Sequence, residues 1–203
     1  RGIANFYHAG EIDEVHVWGK ILTQEEAVAE MHVSLNGDEA DLIASWSFDE
    51  GVGTTINDQA ALGGDNDGTL INGPIWAPSD RQVSLPDEFG DALYFDGYKD
   101  YVSFDPITDE LATATELTFS AWVRPKEFDE TRTACIALNT PDGDNRFVIF
   151  LENSGTVYNY EFWSHDNVLN CEHYFETGQW HHFTITFSDV SGGYCTATMY
   201  VDG

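Results

Sequence analysis

The feature that most narrows the fold of this chain is a period-two alternation, repeated in short runs and broken by turn residues. In LTFSAWV (117–123), Leu117, Phe119, Ala121 and Val123 fall on one side and Thr118, Ser120 and Trp122 on the other. That is the pattern of a strand with one face in a core. FVIFL (147–151), VYNYEFW (157–163), WHHFTITF (180–187) and CTATMYV (195–201) read the same way. Clusters of Gly, Asn and Asp stand between them: PDGDN (141–145), ENSG (152–155) and SGG (191–193). Many short strands at this spacing predict an all-β fold, an antiparallel β-sandwich or jelly roll.

One helix interrupts the pattern. After IDEVHVW comes LTQEEAVAEMHV, where Thr23 can cap a helix and Glu26, three residues on, completes a capping box. Leu22, Ala27, Val28 and Met31 make a modest apolar stripe, which predicts a short accessory helix lying beside the sandwich. No phosphate-cradling glycine loop, HExxH pair or GxSxG elbow occurs in the chain.

Charge removes whole classes of partner. Thirty-six Asp and Glu against 8 Lys and Arg leave a formal net charge of −28. Such a surface repels nucleic acid and anionic lipid, so neither is expected as a partner. It suits bound divalent cations, or a saline setting in which screening removes the self-repulsion. Only three of the basic residues are lysines, which leans toward salt. No run approaches the roughly 20 apolar residues that span a bilayer, so membrane insertion is not expected. The chain starts at Arg1 and reads as a fragment or a processed product. Cys135, Cys171 and Cys195 fit no zinc spacing; one disulfide with a free thiol, or three reduced cysteines, both remain open.

Several stretches carry a resemblance. LIASWSFDEGVGTTINDQAALGGDNDGTLINGPIW (42–76) is similar to the opening of a laminin G-like jelly roll of the concanavalin A-like lectin/glucanase superfamily. ALYFDGYKDYVSF (92–104), LTFSAWVRP (117–125), GQWHHFTITF (178–187) and MYVDG (199–203) resemble its later hairpins and strands, in the family's order. The family's last strand and following helix resemble GEIDEVHVWGKILTQEEAVAEM (10–31), which here stands at the front. Residues 1–36 therefore read as the terminal strand and helix of a preceding or permuted repeat, and 37–203 as a jelly roll lacking its last strand. Three arrangements follow: a slice from a tandem array, a strand that completes a neighbouring subunit, or a strand that folds back into its own sheet.

Three groups of residues could carry chemistry. EIDE (11–14) resembles the paired-carboxylate signature of the jelly-roll glucanases, which place a nucleophile and an acid/base on one strand face. Alternation puts Glu11 and Asp13 together, but Val15 stands where a second Glu is wanted, and no Glu follows to use a one-residue bulge. No enzyme is expected. The second group is a calcium site. Asp13 should share a core-facing side with Val15 and Val17, and Glu50 with Trp46 and Phe48, where a carboxylate is costly unless paired or bound to metal. Asp58 and Asp65 lie on the glycine-rich loop that follows, and Asp13, Glu50, Asp58 and Asp65 together form the expected Ca²⁺ ligands. The resemblance implies a structural calcium near Asp13. The third is a sugar-binding face of Asn159, Glu161 and Trp163, alternating along one strand. His181 and His182 point opposite ways on a strand and cannot chelate one ion.

The resulting expectation is an extracellular or cell-surface module with a structural or adhesive role, stabilised by Ca²⁺, whose partners are copies of itself or neighbouring repeats. A carbohydrate-binding module of a secreted hydrolase, with glycans as partner, is the alternative.

Overall fold

A computed structural model describes residues 7–62, 66–81, 90–104, 114–126, 132–139, 146–153, 158–164, 167–171, 176–188 and 196–203, with the strands between 132 and 171 described through their backbone. Their architecture is an antiparallel β-sandwich with one short helix, as the alternation predicts.

The main sheet runs β14 (Thr196–Val201), β13 (His181–Ser188), β8 (Glu116–Pro125), β1 (Ala9–Trp18), β6 (Asp91–Asp96), β5 (Ile75–Pro78), with β2 (Leu42–Trp46) also paired to β1. A second sheet is β3 (Thr55–Ile56), β4 (Gly68–Ile71), β7 (Tyr101–Phe104). A third is β12 (Asn167–Cys171), β11 (Tyr158–Ser164), β10 (Arg146–Asn153), β9 (Arg132–Asn139). The apolar faces of the first two sheets close on each other. Phe119, Val123, Leu93, Phe183 and Ile185 from one side meet Leu70, Val102 and Phe104 from the other. Trp46 lies 4.0 Å from Phe104, and its Nε1 donates to the Asn66 carbonyl at 2.9 Å, so the indole is buried without an orphaned donor.

β1 occupies the middle of the main sheet of its own chain. β8 flanks it on one side along its length. On the other side β6 pairs with Ala9–Ile12 and β2 with Val15–Trp18. The change of neighbour falls at Glu14, whose φ of 48° marks a bulge, and the register with β8 shifts between Asp13 and His16. Gly10 allows β1 and β8 to approach closely: a Cβ there would run into the Arg124 carbonyl.

The helix α1 (Gln24–Glu30) forms as its local code dictates. Thr23 Oγ1 accepts from the Glu26 N–H at 3.2 Å, and Glu26 accepts from the Thr23 N–H at 2.8 Å, the predicted capping box. Leu22 and Ala27 are buried, and Trp18, Leu22, Leu42 and Ala60 form a small apolar cluster beside the helix. Thr118 Oγ1 accepts from the Leu22 N–H at 3.1 Å and donates to the Lys20 carbonyl at 2.7 Å, tying the helix entry to β8. Glu30 is also buried, although its sequence position reads as surface.

Candidate functional site

The bulge at Glu14 decides what the outer face of the main sheet contains. Before it, Glu11 and Asp13 share that face; after it, the parity flips, so Ile12, Val15 and Val17 lie in the core while Asp13, His16 and Trp18 point outward. This corrects the expectation that Asp13 shares a core-facing side with Val15 and Val17. The extra residue also delivers His16, rather than a glutamate, to the next outward position after Asp13.

Helix α1 and Arg81 cover this face and form an ionic network with it. The Asp13 carboxylate accepts from the Glu14 N–H at 2.9 Å, from the Ser79 hydroxyl at 2.8 Å and from Arg81 at 3.0 Å. Arg81 also reaches Glu14 at 3.4 Å and stacks over Trp122 at 5.5 Å. His16 lies between two carboxylates, Nε2 at 3.3 Å from Glu14 and Nδ1 at 2.7 Å from Glu30. Glu30 also accepts from the Ser120 hydroxyl and, at 3.4 Å, from the Trp18 indole. His182 packs against Trp122 at 5.2 Å. None of Asp13, Glu14, His16, Glu30, Arg81 and His182 is more than 8% exposed.

Burial and pairing set the protonation states in opposite directions. Burial alone would lower His16, but hydrogen bonds to Glu14 and Glu30 outweigh it and raise it to about 9. Burial opposes the charge of Glu30, but the His16 hydrogen bond prevails and holds it below its ordinary value. Burial pushes Asp13 up to about 8 against the pull of Arg81. His182 and His8, with burial dominant, fall to about 4 and stay neutral at pH 7. A doubly protonated imidazole thus bridges two buried carboxylates beneath the helix. The network fastens the helix and the 79–81 segment to the sheet.

The remaining sequence candidates sit apart from one another. Glu50 does not share a face with Trp46 and Phe48: β2 ends at Trp46, and Phe48 has a φ of 58°, which breaks the alternation. Its Oε1 accepts from the Asn57 backbone N–H at 2.8 Å and side-chain amide at 3.0 Å, while Oε2 is shielded and meets no donor among the described residues. Asp58 accepts through Oδ1 from the Ser45 and Ala60 N–H groups, both at 2.9 Å, and through Oδ2 from the Asn66 amide at 2.8 Å. Asp65 lies outside the described residues. Among the described residues no three His, Cys, Asp or Glu side chains are arranged to hold a metal ion. Asn159, Glu161 and Trp163 lie on β11, opposite Glu152, Phe150 and Val148 of β10. The sequence reading missed Glu30 and Arg81, and weighed His182 only as a metal ligand, which it rejected; the spacing of Glu30 from Ala27, one helical turn, was the available signal that it faces the sheet.

The fold is a laminin G-like β-sandwich whose acidic strand lies paired at the centre of its own sheet. A family model described as the concanavalin A-like lectin/glucanases superfamily matches residues 96–203, more than half of the chain. The chain belongs to that superfamily, in its laminin G-like branch. Comparison with curated proteins and with solved structures returns no match. No helix among the described residues is long and apolar enough to cross a membrane.

Proposed function

We propose that this chain is an extracellular structural or adhesive module that associates with copies of itself, or with neighbouring repeats, through an open sheet edge, and that it performs no catalytic step. Laminin G-like domains are usually extracellular, which supports the location. The sealed His16 network supports a non-catalytic role, because the groups most able to move protons are covered.

The observation that carries the reading is β14. Among the described residues it pairs with β13 alone. Its Ala197, Met199 and Val201 are partly buried and pack on the core, so the edge is continuous with the sandwich. Asp202 donates its N–H to the His182 carbonyl at 2.8 Å. By antiparallel alternation the N–H groups of Val201, Met199 and Ala197 then face away from β13, with no partner strand among the described residues.

Sedimentation velocity over a concentration series tests this. Reversible association is expected, weakened at least about tenfold by Ala197→Pro, which removes one outward N–H and no bond to β13. A strictly monomeric wild type, with and without calcium, would sink the proposal.

Calcium enters this reading through the loop after β2, where Glu50 keeps a shielded oxygen without a donor among the described residues and Asp65 follows in sequence. A ligand bound only by the native state stabilises it by mass action, so chelation should lower the Tm by roughly 5–10 °C. An unchanged Tm in a sample shown by elemental analysis to lose its calcium would remove the ion.

A further inference from the structure

Among the described residues the main sheet ends in β5 on one side and β14 on the other, and the sequence treats these ends differently. β5 pairs with β6, and just beyond it the Ser79 N–H donates to the Gly90 carbonyl at 3.1 Å. Alternation from that bond turns the main chain of Ile75 and Ala77 toward β6, and that of positions 74, 76 and 78 outward. Positions 74 and 78 are prolines, which carry no N–H. A strand arriving at β5 would meet the N–H of Trp76 between two prolines, a guard found on free sheet edges. β14 has no such guard. Its TATMYV holds neither a proline nor a charge, in a chain with 36 acidic residues.

We propose that β14 pairs antiparallel with β14 of a second copy, about a two-fold axis at Met199, and so closes a dimer rather than a growing filament. This rests on the association at β14 proposed above and assigns its geometry. The outward residues Ala197, Met199 and Val201 are symmetric about Met199. With Met199 opposite its own counterpart, Ala197 falls opposite Val201 of the second copy, and every outward N–H meets a carbonyl. A slip to either neighbouring register sets Val201 or Ala197 against a position outside the partner strand. The same three side chains are partly buried on the core, so the pairing joins the two cores across the seam. On the outer face Thr198 falls opposite Tyr200 of the second copy, and Thr196 opposite its Asp202, so no carboxylate faces another. At a net charge of −28, an uncharged strip is what lets two copies approach. The joined sheet then ends at both sides in the proline-guarded β5, which leaves it no main-sheet edge to offer a third copy.

Sedimentation velocity over a concentration series reads the stoichiometry, and Thr198, exposed beside the seam, reads the symmetry. The mass should rise from that of one chain and level at twice that value. Thr198→Glu and Thr198→Lys each place like charges diagonally across the axis, and mixing the two variants places opposite charges there. Mixed pairs, followed with a different fluorophore on each variant, should form at least about threefold more tightly than random assortment gives. Growth past the pair, or mixing at the random value, overturns this geometry while leaving association at β14 in place. A wild type that never associates overturns it together with the reading on which it rests.

Discussion

Arg81→Met should cost about 3–5 kcal/mol of folding free energy, the expected penalty for breaking a buried ion network at one member. Arg81 lies 3.0 Å from Asp13 and 3.4 Å from Glu14, and both carboxylates are buried. The thioether keeps much of the stem's packing over Trp122 and removes the charge, so two acids lose their shared cation. Urea unfolding at pH 7 measures the change, with an unaltered slope showing that the unfolded reference has not moved. Adding Glu14→Gln should recover part of the loss, since Arg81's other acidic partner is then gone. A loss under about 1 kcal/mol, the scale of an exposed pair, would mean that water reaches this face.

Stability should be greatest near neutral pH and fall on both sides. His16 titrates at about 9 in the fold against an ordinary 6.5, so it binds its proton more tightly when folded. That contribution is whole below pH 6.5 and lost as the pH rises through 9. Asp13, at about 8 against 3.8, acts in the same direction over a wider window: its contribution is whole below pH 3.8 and is lost progressively as the pH rises to 8, which offsets part of the acid limb. His182 and His8, at about 4, are neutral in the fold; their contribution is whole above 6.5 and lost as the pH falls toward 4. Glu30, held low by His16, is likewise lost toward acid. Each histidine shift corresponds to about 3 kcal/mol. The groups facing this pocket are Glu14, Glu30, Asp49, Asp202 and Arg81, so the two limbs are coupled. Unfolding free energies between pH 4 and pH 10 should trace a dome, and His182→Gln should flatten its acid side. A level profile from pH 5 to pH 9 would contradict the assigned protonation states.

What could be read from the chain alone was whatever depends on near neighbours. The face of β8 that carries Leu117, Phe119, Ala121 and Val123 is the core face, as alternation requires. Thr23 and Glu26 cap α1 because both partners lie within one turn. What escaped depends on distant pairing. A bulge has no signature in EIDEVHV, yet it moves Asp13 from the side of Val15 to that of His16. Glu30 looks like a solvated helix residue until β1 and β8 arrive beneath it. The outward placing of Pro74 and Pro78 depends on how β5 pairs with β6, so no local pattern could announce it.

The central place of β1 has a consequence in time. Its residues leave the ribosome before those of the strand that flanks it throughout, β8, which follows about a hundred positions later. Until then only β2 and β6 can pair with β1, along one edge, while its other edge stays open. Closure over such a separation is slow, because loop entropy must be met before any long-range contact forms. During that interval the nascent chain is guarded mainly by its own negative charge, which keeps neighbouring chains on a polysome apart until the last strands complete the sheet.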